Sequence, residues 1–261
     1  MGDKTYTLIT GASTGIGYDL AKLAAAEGKN LVLAARSGEK LSQLAEELTG
    51  NYNTDVITVA VDLSQDEGVT KLITSIDSAN VVVDTLINNA GFGDFGDFSK
   101  ADLEKNMEMI RLNISALTRL THVFMQGMLE RRNGRIMNVA STAAFMPGPG
   151  MAVYYASKAY VLSFTEAVAR ELKNSGVTVT ALCPGPTDTS FARAAGLGKS
   201  LLHHVLPPAT AMEVAKSGYQ AMMKGKTIEI PGIVNKMTAL TPRIAPRRLV
   251  RSLIHSIHKN H

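Results

Sequence analysis

Residues 154–164 read YYASKAYVLSF, with two adjacent tyrosines shortly before a lysine. That combination can move a proton. A free phenol keeps its proton until about pH 10, and an ammonium held nearby favours the phenolate by its charge. On a helix, residues three or four apart share a face. Tyr154 stands four before Lys158 and Tyr155 stands three before it. Spacing alone therefore leaves both tyrosines open.

A second group of residues suits phosphate. TGASTGIG, from Thr10 to Gly17, follows the strand-like TYTLIT and precedes the helical YDLAKLAAAEG. Strand, glycine turn and helix in this order give a glycine pattern its meaning. Gly11 permits a tight turn, Gly15 lets the backbone approach a pyrophosphate, and Gly17 allows close helix–strand packing. Ser13, Thr14 and Ile16 complete the turn, and the helix start offers free N–H groups and a positive dipole end. The spacing is GxxxGxG rather than GxGxxG.

The second strand ends Ala34-Ala35-Arg36 and has no acid at its tip. An acid there would accept from the ribose 2′-hydroxyl of NAD, whereas an arginine fork suits the 2′-phosphate of NADP. The expectation is NADP(H) over NAD(H), with no basic residue in the glycine turn to reinforce it. Asp62, followed by Leu63, is placed to accept from an adenine amino group. The alternative is that Asp62 or Ser64 caps the next helix.

The elements that must position these groups alternate. Strand-like runs at 5–10, 30–35, 55–61, 84–89, 134–141, 176–183 and 226–230 are mostly apolar at consecutive positions, as in strands covered on both faces. Helical patterns fall near 16–28, 38–49, 66–79, 102–131, 152–174 and 211–224. The β-α order predicts an α/β fold of Rossmann type, with seven strands in a doubly wound parallel sheet and helices on both faces. There is no repeat or linker, so residues 1–261 read as one domain. Residues 188–210 have no clear place in the sheet and read as a substrate loop. Residues 232–261 form a C-terminal extension with an apolar stripe at Leu249, Val250, Leu253, Ile254 and Ile257.

Composition narrows the function further. A chain of 261 residues with 45% hydrophobic and 19% charged content is an ordinary globular one. Cys183 is its single cysteine, so an internal disulfide framework is excluded and a reducing compartment, the cytoplasm, is expected. No apolar run reaches the ~20 residues of a membrane span, and MGDKTYTLIT is no signal peptide. From Arg243 onward there are five Lys/Arg and no acid, while the rest carries 22 basic and 23 acidic residues. The body offers nucleic acid no basic stripe. The basic tail leaves room for peripheral membrane contact. No metal-ligating pattern stands out.

Taken together, TGxxxGxG at 10–17, Asp-Leu at 62–63, Asn-Asn-Ala-Gly at 88–91, Asn113, Ser141, Tyr-x-x-x-Lys at 154 and 158, and Pro184-Gly185 followed by Thr189 resemble the single-domain short-chain dehydrogenase/reductase family. The resemblance spans residues 4 to 231. It implies that Tyr154, four before the lysine and thirteen after Ser141, is the proton donor, and that Tyr155 is a packed or interface side chain. It further implies that Lys158 lowers the phenol pKa and holds the nicotinamide ribose, that Ser141 orients the substrate oxygen, and that Asn113 bends its helix around a water serving Lys158. Asn89, Ala90 and Gly91 would line the adenosine ribose. Pro184 and Gly185 would let the backbone pass close to the nicotinamide, and Thr189 would bond its carboxamide. Asn88 would be structural, tying strands together, and Cys183 a buried small hydrophobe.

The expected reaction is hydride transfer between NADP(H) and a small-molecule carbonyl or alcohol. The flanking residues Phe92, Phe95, Phe145, Met146, Pro147, Met151, Phe191, Leu197, Leu201 and Leu202 favour a mostly apolar substrate. Arg193 is the one cation among them. A non-catalytic NADP-binding regulator on the same fold is the alternative. The apolar residues spread around 102–131 exceed one stripe, and the resemblance implies that this helix and 152–174 pair across a two-fold, so a homodimer or a tetramer of such dimers is expected. The alternative is that the stripe from Leu249 to Ile257 folds back and covers them within a monomer.

Overall fold

Six of the strand-like runs become strands: β1 (Thr5–Thr10), β2 (Asn30–Ala35), β3 (Val56–Ala60), β4 (Val82–Asn88), β5 (Gly134–Val139) and β6 (Val177–Leu182), all largely buried except β3, the partly exposed edge. The computed structural model describes residues 4–191 and 208–244. A short edge strand, β9 (Ile228–Glu229), joins the six in a seven-stranded parallel sheet ordered β3-β2-β1-β4-β5-β6-β9. This is the doubly wound sheet that the alternating pattern predicts. Between β6 and β9 lies a two-residue parallel pair that the sequence did not suggest, β7 (Thr187–Asp188) with β8 (Ala209–Thr210). It brings the two ends of the 188–210 loop together. Residues 192–207 of that loop, including Arg193, Leu197, Leu201 and Leu202, lie outside the described residues, as does the stripe from Leu249 to Ile257.

One face of the sheet is covered by α1 (Gly15–Ala26), α2 (Gly38–Tyr52) and α7 (Ala211–Met223). The other is covered by α3 (Asp66–Ser78), α5 (Leu117–Glu130) and α6 (Ala152–Glu171). The helices bury residues at helical spacing: Leu41, Leu44 and Leu48 from α2, and Val69, Leu72 and Ile76 from α3. Fully burying one such side chain contributes about 1.5–3 kcal/mol. Helix α1 instead buries Gly17, Ala21, Ala24 and Ala25 beside Leu20, and these small residues let its backbone lie close to the sheet. Helix α7 starts with a reciprocal cap, in which Glu213 N donates to Thr210 Oγ1 and Thr210 N donates to Glu213 Oε2.

The helical pattern at 102–131 is not one helix. It divides into α4 (Leu103–Ile110), a π-helical stretch at Arg111–Ala116, and α5. On this unit Met109, Leu117, Leu120 and Met128 are buried, Val123 and Phe124 are half-buried, and Met107 is exposed. Among the described residues the last helix, α8 (Ile233–Ile244), opens the C-terminal extension. No helix among the described residues is long and apolar enough to cross a membrane.

Strand β1 pairs with β2 on one side and β4 on the other, so the winding direction reverses between β1 and β4. Sheets of this kind leave a crevice beyond the strand ends at such a reversal. The glycine turn after β1 and the Asn88–Gly91 turn after β4 both open there.

Candidate active site

The glycine turn is built by backbone conformation. Gly11 and Gly15 adopt positive φ, +66° and +59°, which L side chains rarely do. A Cβ on Gly11 would lie 2.9 Å from Ala90 Cα, and one on Gly17 would lie 2.4 Å from the Gly11 carbonyl oxygen. These two glycines therefore let the turn and α1 close on the end of β4. A Cβ on Gly15 would instead point across the crevice, 3.1 Å from Thr189 Cγ2. Thr14 precedes α1 without making a side-chain cap, and the first turn holds no acid. The helix start is thus left to an outside anion, and this geometry fits a dinucleotide phosphate.

The turn is tied to β4 by two residues. Thr10 Oγ1 accepts from the N–H groups of Asn89 and Ala90, each at 3.0 Å. Asn89 Nδ2 donates to the carbonyls of Thr10 and Gly11, at 3.0 and 3.1 Å. The Asn89 amide nitrogen is thus spent on holding the turn. The structural reading of Asn88 holds. Its Nδ2 donates to Thr121 Oγ1 and Asn138 Oδ1, and Asn138 Nδ2 donates to Thr165 Oγ1. This buried ladder ties β4 and β5 to α5 and α6. Its members Thr121, Asn138 and Thr165 gave no separate signal in the sequence.

At the adenosine end, Arg36 is exposed directly after β2, ahead of Ser37, which caps α2. Among the described residues it forms no ion pair. Asp62 Oδ1 accepts from Ser64 N at 2.9 Å and from Ser64 Oγ at 2.8 Å, with Leu63 buried between them. Neither Asp62 nor Ser64 caps α3, because the residue before that helix is Gln65 and it makes no side-chain cap.

The residues expected to handle a proton lie where β4, β5 and α6 meet. Asn113 sits in the π-helical stretch, buried, so the helix does depart from α geometry at this residue. Its Oδ1 accepts from Phe92 N at 3.1 Å, and its Nδ2 donates to Phe92 O and to Ser157 Oγ, both at 3.0 Å. Ser157 Oγ in turn donates to Tyr154 O at 2.7 Å. Ser157 is a link that the sequence reading passed over inside YYASK. Lys158 is buried and donates from Nζ to the Val139 carbonyl at 2.8 Å. A Cβ on Gly91 would lie 3.0 Å from Asn113 Oδ1 and 3.3 Å from Lys158 Nζ, so this glycine makes room for both.

Tyr154 lies with its ring against Tyr155 (centroids 6.1 Å apart, edge-on) and Phe191 (5.4 Å). Lys158 Nζ is 5.8 Å from the Tyr154 ring centroid. The expectation that the lysine charge depresses this phenol is not met here. Burial pushes Tyr154 up to about 12, opposed only by its hydrogen bond with Ser141. The ammonium of Lys158 is engaged by the Val139 carbonyl. Burial also brings Lys158 down to about 8, with the Cys183 side chain pulling the other way. Cys183 itself is buried, and its thiol is pushed up to about 12 by burial first of all.

Ser141 Oγ accepts from Ala143 N at 3.1 Å, which starts the short turn Thr142–Phe145, and donates to Pro184 O at 3.4 Å. The Pro184 carbonyl also receives Thr142 N at 2.8 Å. Gly185 carries a constraint that sequence reasoning missed. A Cβ there would lie 2.3 Å from Asn235 Oδ1, so its bareness admits a side chain of α8. Thr189 Oγ1 accepts from Phe191 N at 3.3 Å.

Tyr155 is packed within its own chain, since a Cβ on Gly148 would fall 2.3 Å from its ring. Gly93 is a further missed residue. A Cβ on it would meet Phe191 Cζ at 3.0 Å, Tyr154 Cδ2 at 3.1 Å and Met151 Cε at 3.2 Å. Nearby, Gly96 N donates to Gly150 O at 2.8 Å, and Phe95 closes on Gly150. The loops after β4 and β5 thereby form one apolar wall beside Tyr154.

A family profile described as short chain dehydrogenase matches residues 5–199. Sulfoacetaldehyde reductase 2 of Chromohalobacter salexigens is 37% identical over 186 residues, 70% of this chain and 73% of that protein. The very-long-chain 3-oxoacyl-CoA reductase of Mus musculus is 30% identical over 192 residues, 72% of this chain. The matched region spans only 61% of that reductase's length. Among solved structures, a short-chain dehydrogenase from Sphingobium yanoikuyae in complex with NADPH superposes with a TM-score of 0.81 at 31% identity, covering 92% of this chain and 93% of that one. The profile match, the parallel sheet and the glycine turn at its reversal lead to one conclusion: this chain belongs to the short-chain dehydrogenase/reductase family of oxidoreductases.

Proposed function

We propose that this protein, as one catalytic domain, is an NADP(H)-dependent oxidoreductase interconverting a mostly apolar carbonyl compound and its alcohol, with Tyr154 as general acid and base. The observation that carries the reading is the convergence of Ser141, Tyr154 and Lys158 at the end of β5, beside the crevice opened by the glycine turn. When bound, the nicotinamide cofactor supplies or accepts the hydride.

The residues suited to hold it are Gly11, Ser13, Thr14, Gly15, Ile16 and Gly17 at the phosphates. Arg36, Asp62 and Leu63 would serve the adenosine end, Ala90 and Gly91 the ribose, and Pro184, Gly185 and Thr189 the nicotinamide end. Preference for NADP rests on Arg36, whose planar fork matches a 2′-phosphate and which follows Ala35 where an acid would select NAD.

In the reducing direction Tyr154 donates its proton to the substrate oxygen as negative charge grows there. A phenol raised by burial to about 12 stays protonated at neutral pH, as an acid must. Ser141 Oγ holds the same oxygen and orients it. Lys158, brought down to about 8 and buried beside Asn113 and Gly91, can replace the proton that Tyr154 loses. Asn113 holds Phe92 and Ser157 and so fixes the wall and the helix turn that carry the tyrosine. Gly93, Met151 and Phe191 crowd the phenol ring with apolar surface, which favours an apolar substrate. The exposed Met107 and Tyr160, on the two helical segments expected to pair, support a homodimer through them.

The test is NADPH consumption by the purified protein across ketones, aldehydes and acyl thioesters. Turnover of at least one class is expected. Tight NADPH binding with no turnover in the whole panel would replace the enzyme with a nucleotide-binding regulator.

A further inference from the structure

Strands β6 and β9 leave the sheet side by side. Ala181 pairs with Ile228 and Leu182 with Glu229, and Cys183 N donates to Glu229 O at 2.7 Å. Beyond them the chain turns at Pro184–Gly185 on one side and at Pro231–Gly232 on the other. Helix α8 starts from the second turn and lies against Thr142–Phe145. Its residue Ala239 is buried and stands one turn after Asn235, so the face that carries Asn235 is held on the body.

The Asn235 amide fills the gap between the two turns. Its Nδ2 donates to Pro231 O at 2.7 Å, which anchors it to the start of its own helix. A Cβ on Gly185 would lie 2.3 Å from Asn235 Oδ1 and 2.5 Å from both Cγ and Nδ2. A Cβ on Gly232 would lie 3.3 Å from the same Nδ2. Gly185 does not adopt a positive φ, so its bareness provides space and not backbone freedom. The Pro184 carbonyl receives Thr142 N at 2.8 Å, and the Gly185 carbonyl accepts from Thr187 Oγ1 at 2.9 Å. Those bonds hold the two carbonyls of the turn, while the flat Asn235 amide sets how far Gly185 Cα can move toward α8.

We propose that Asn235 is a positioning residue for the nicotinamide end of the cofactor, acting through Gly185. Helix α8 lies beyond the region that the family profile matches, which ends at residue 199. The chain thus uses its own C-terminal extension to set a turn of the shared fold. The proposal rests on the reading of Pro184, Gly185 and Thr189 as the nicotinamide side of the crevice.

Calorimetry on the full-length protein measures the binding of NADPH and of ADP-ribose 2′-phosphate, the same nucleotide without its nicotinamide. Asn235→Ala removes the amide and its hydrogen bond, so NADPH should bind about three- to tenfold more weakly. ADP-ribose 2′-phosphate should bind as it does to wild type. Gly185→Ala drives a methyl group into the amide and should weaken NADPH further. The three atoms nearest that methyl position all belong to Asn235. The double variant Gly185→Ala/Asn235→Ala should therefore regain most of the NADPH affinity that Gly185→Ala loses, a coupling that independent sites do not show. Wild type that binds neither NADPH nor NADH refutes the cofactor reading, and the proposal with it. Where wild type binds NADPH, equal affinity in Asn235→Ala overturns the proposal alone. So does an equal loss for both nucleotides, because the amide then serves the fold as a whole. A double variant no better than Gly185→Ala overturns it too. If Gly185→Ala does not fold, the two nucleotide titrations of Asn235→Ala decide.

Discussion

Replacing Asn113 with alanine tests how the site is held together. The side chain makes three hydrogen bonds, two with the backbone of Phe92 and one with Ser157 Oγ. A net hydrogen bond is worth about 0.5–1.5 kcal/mol, so the three together amount to roughly 1.5–4.5 kcal/mol. Phe92 is only half-buried, and water can replace part of what its backbone loses. Ser157 keeps its bond to the Tyr154 carbonyl. Both facts place the loss in the lower half of the range, at about 2–3 kcal/mol. Urea unfolding at neutral pH measures it directly, and the slope of the transition should not change. Activity should fall further than stability explains, because Phe92 and the first turn of α6 are both released beside Tyr154. A drop in kcat with a smaller change in NADPH affinity is expected. A variant within 0.5 kcal/mol of wild type (the ordinary scatter of a surface substitution, roughly) and with unchanged kcat would refute the reasoning.

Two further variants probe the cofactor and the lysine. Arg36→Ala should weaken NADPH binding far more than NADH binding, read by fluorescence titration, since only NADPH carries the 2′-phosphate. A wild type that already prefers NADH would contradict that reading. Lys158 has a folded pKa depressed to about 8 from 10.5, so burying its charge destabilises the protein most below about pH 8. The unfolded chain binds the proton more tightly, and stability therefore rises with pH between those two values. Lys158→Met should accordingly flatten the stability profile over pH 8 to 10.5 in chemical denaturation, while abolishing most activity. An unaltered profile would show that the lysine is not desolvated.

The sheet was legible because its strands are apolar at consecutive positions and its glycine turn follows the first of them. The β-α rhythm implied a parallel, doubly wound sheet, while strand order and register came only with the structure. The break at Asn113 was not visible in the local pattern, because Arg111–Ala116 has the same helical periodicity as its flanks. Only the family resemblance pointed to it. Asn89 was placed at a ribose on the same ground, and its amide nitrogen is committed to Thr10 and Gly11, a bond between two distant turns that no local pattern encodes. Gly185 was assigned to the nicotinamide side, and its contact with Asn235 depends on a helix that the sequence reading left unassigned. Lys158 was expected to act on Tyr154 by charge. Which way its ammonium turns depends on the Val139 carbonyl, nineteen residues away in the chain.

The central claim is that Tyr154, and not its neighbour, gives the proton. The measurement is single-turnover reduction of an accepted carbonyl substrate by wild type, Tyr154→Phe and Tyr155→Phe, each saturated with NADPH. Tyr154→Phe keeps the ring and its contacts with Phe191 but lacks the acid, so its rate should fall by ~10²–10⁴-fold while NADPH binding is retained. Tyr155→Phe keeps the ring that packs on Gly148 and should react within a few-fold of wild type. Equal losses in the two variants, or a larger loss in Tyr155→Phe, would contradict the account.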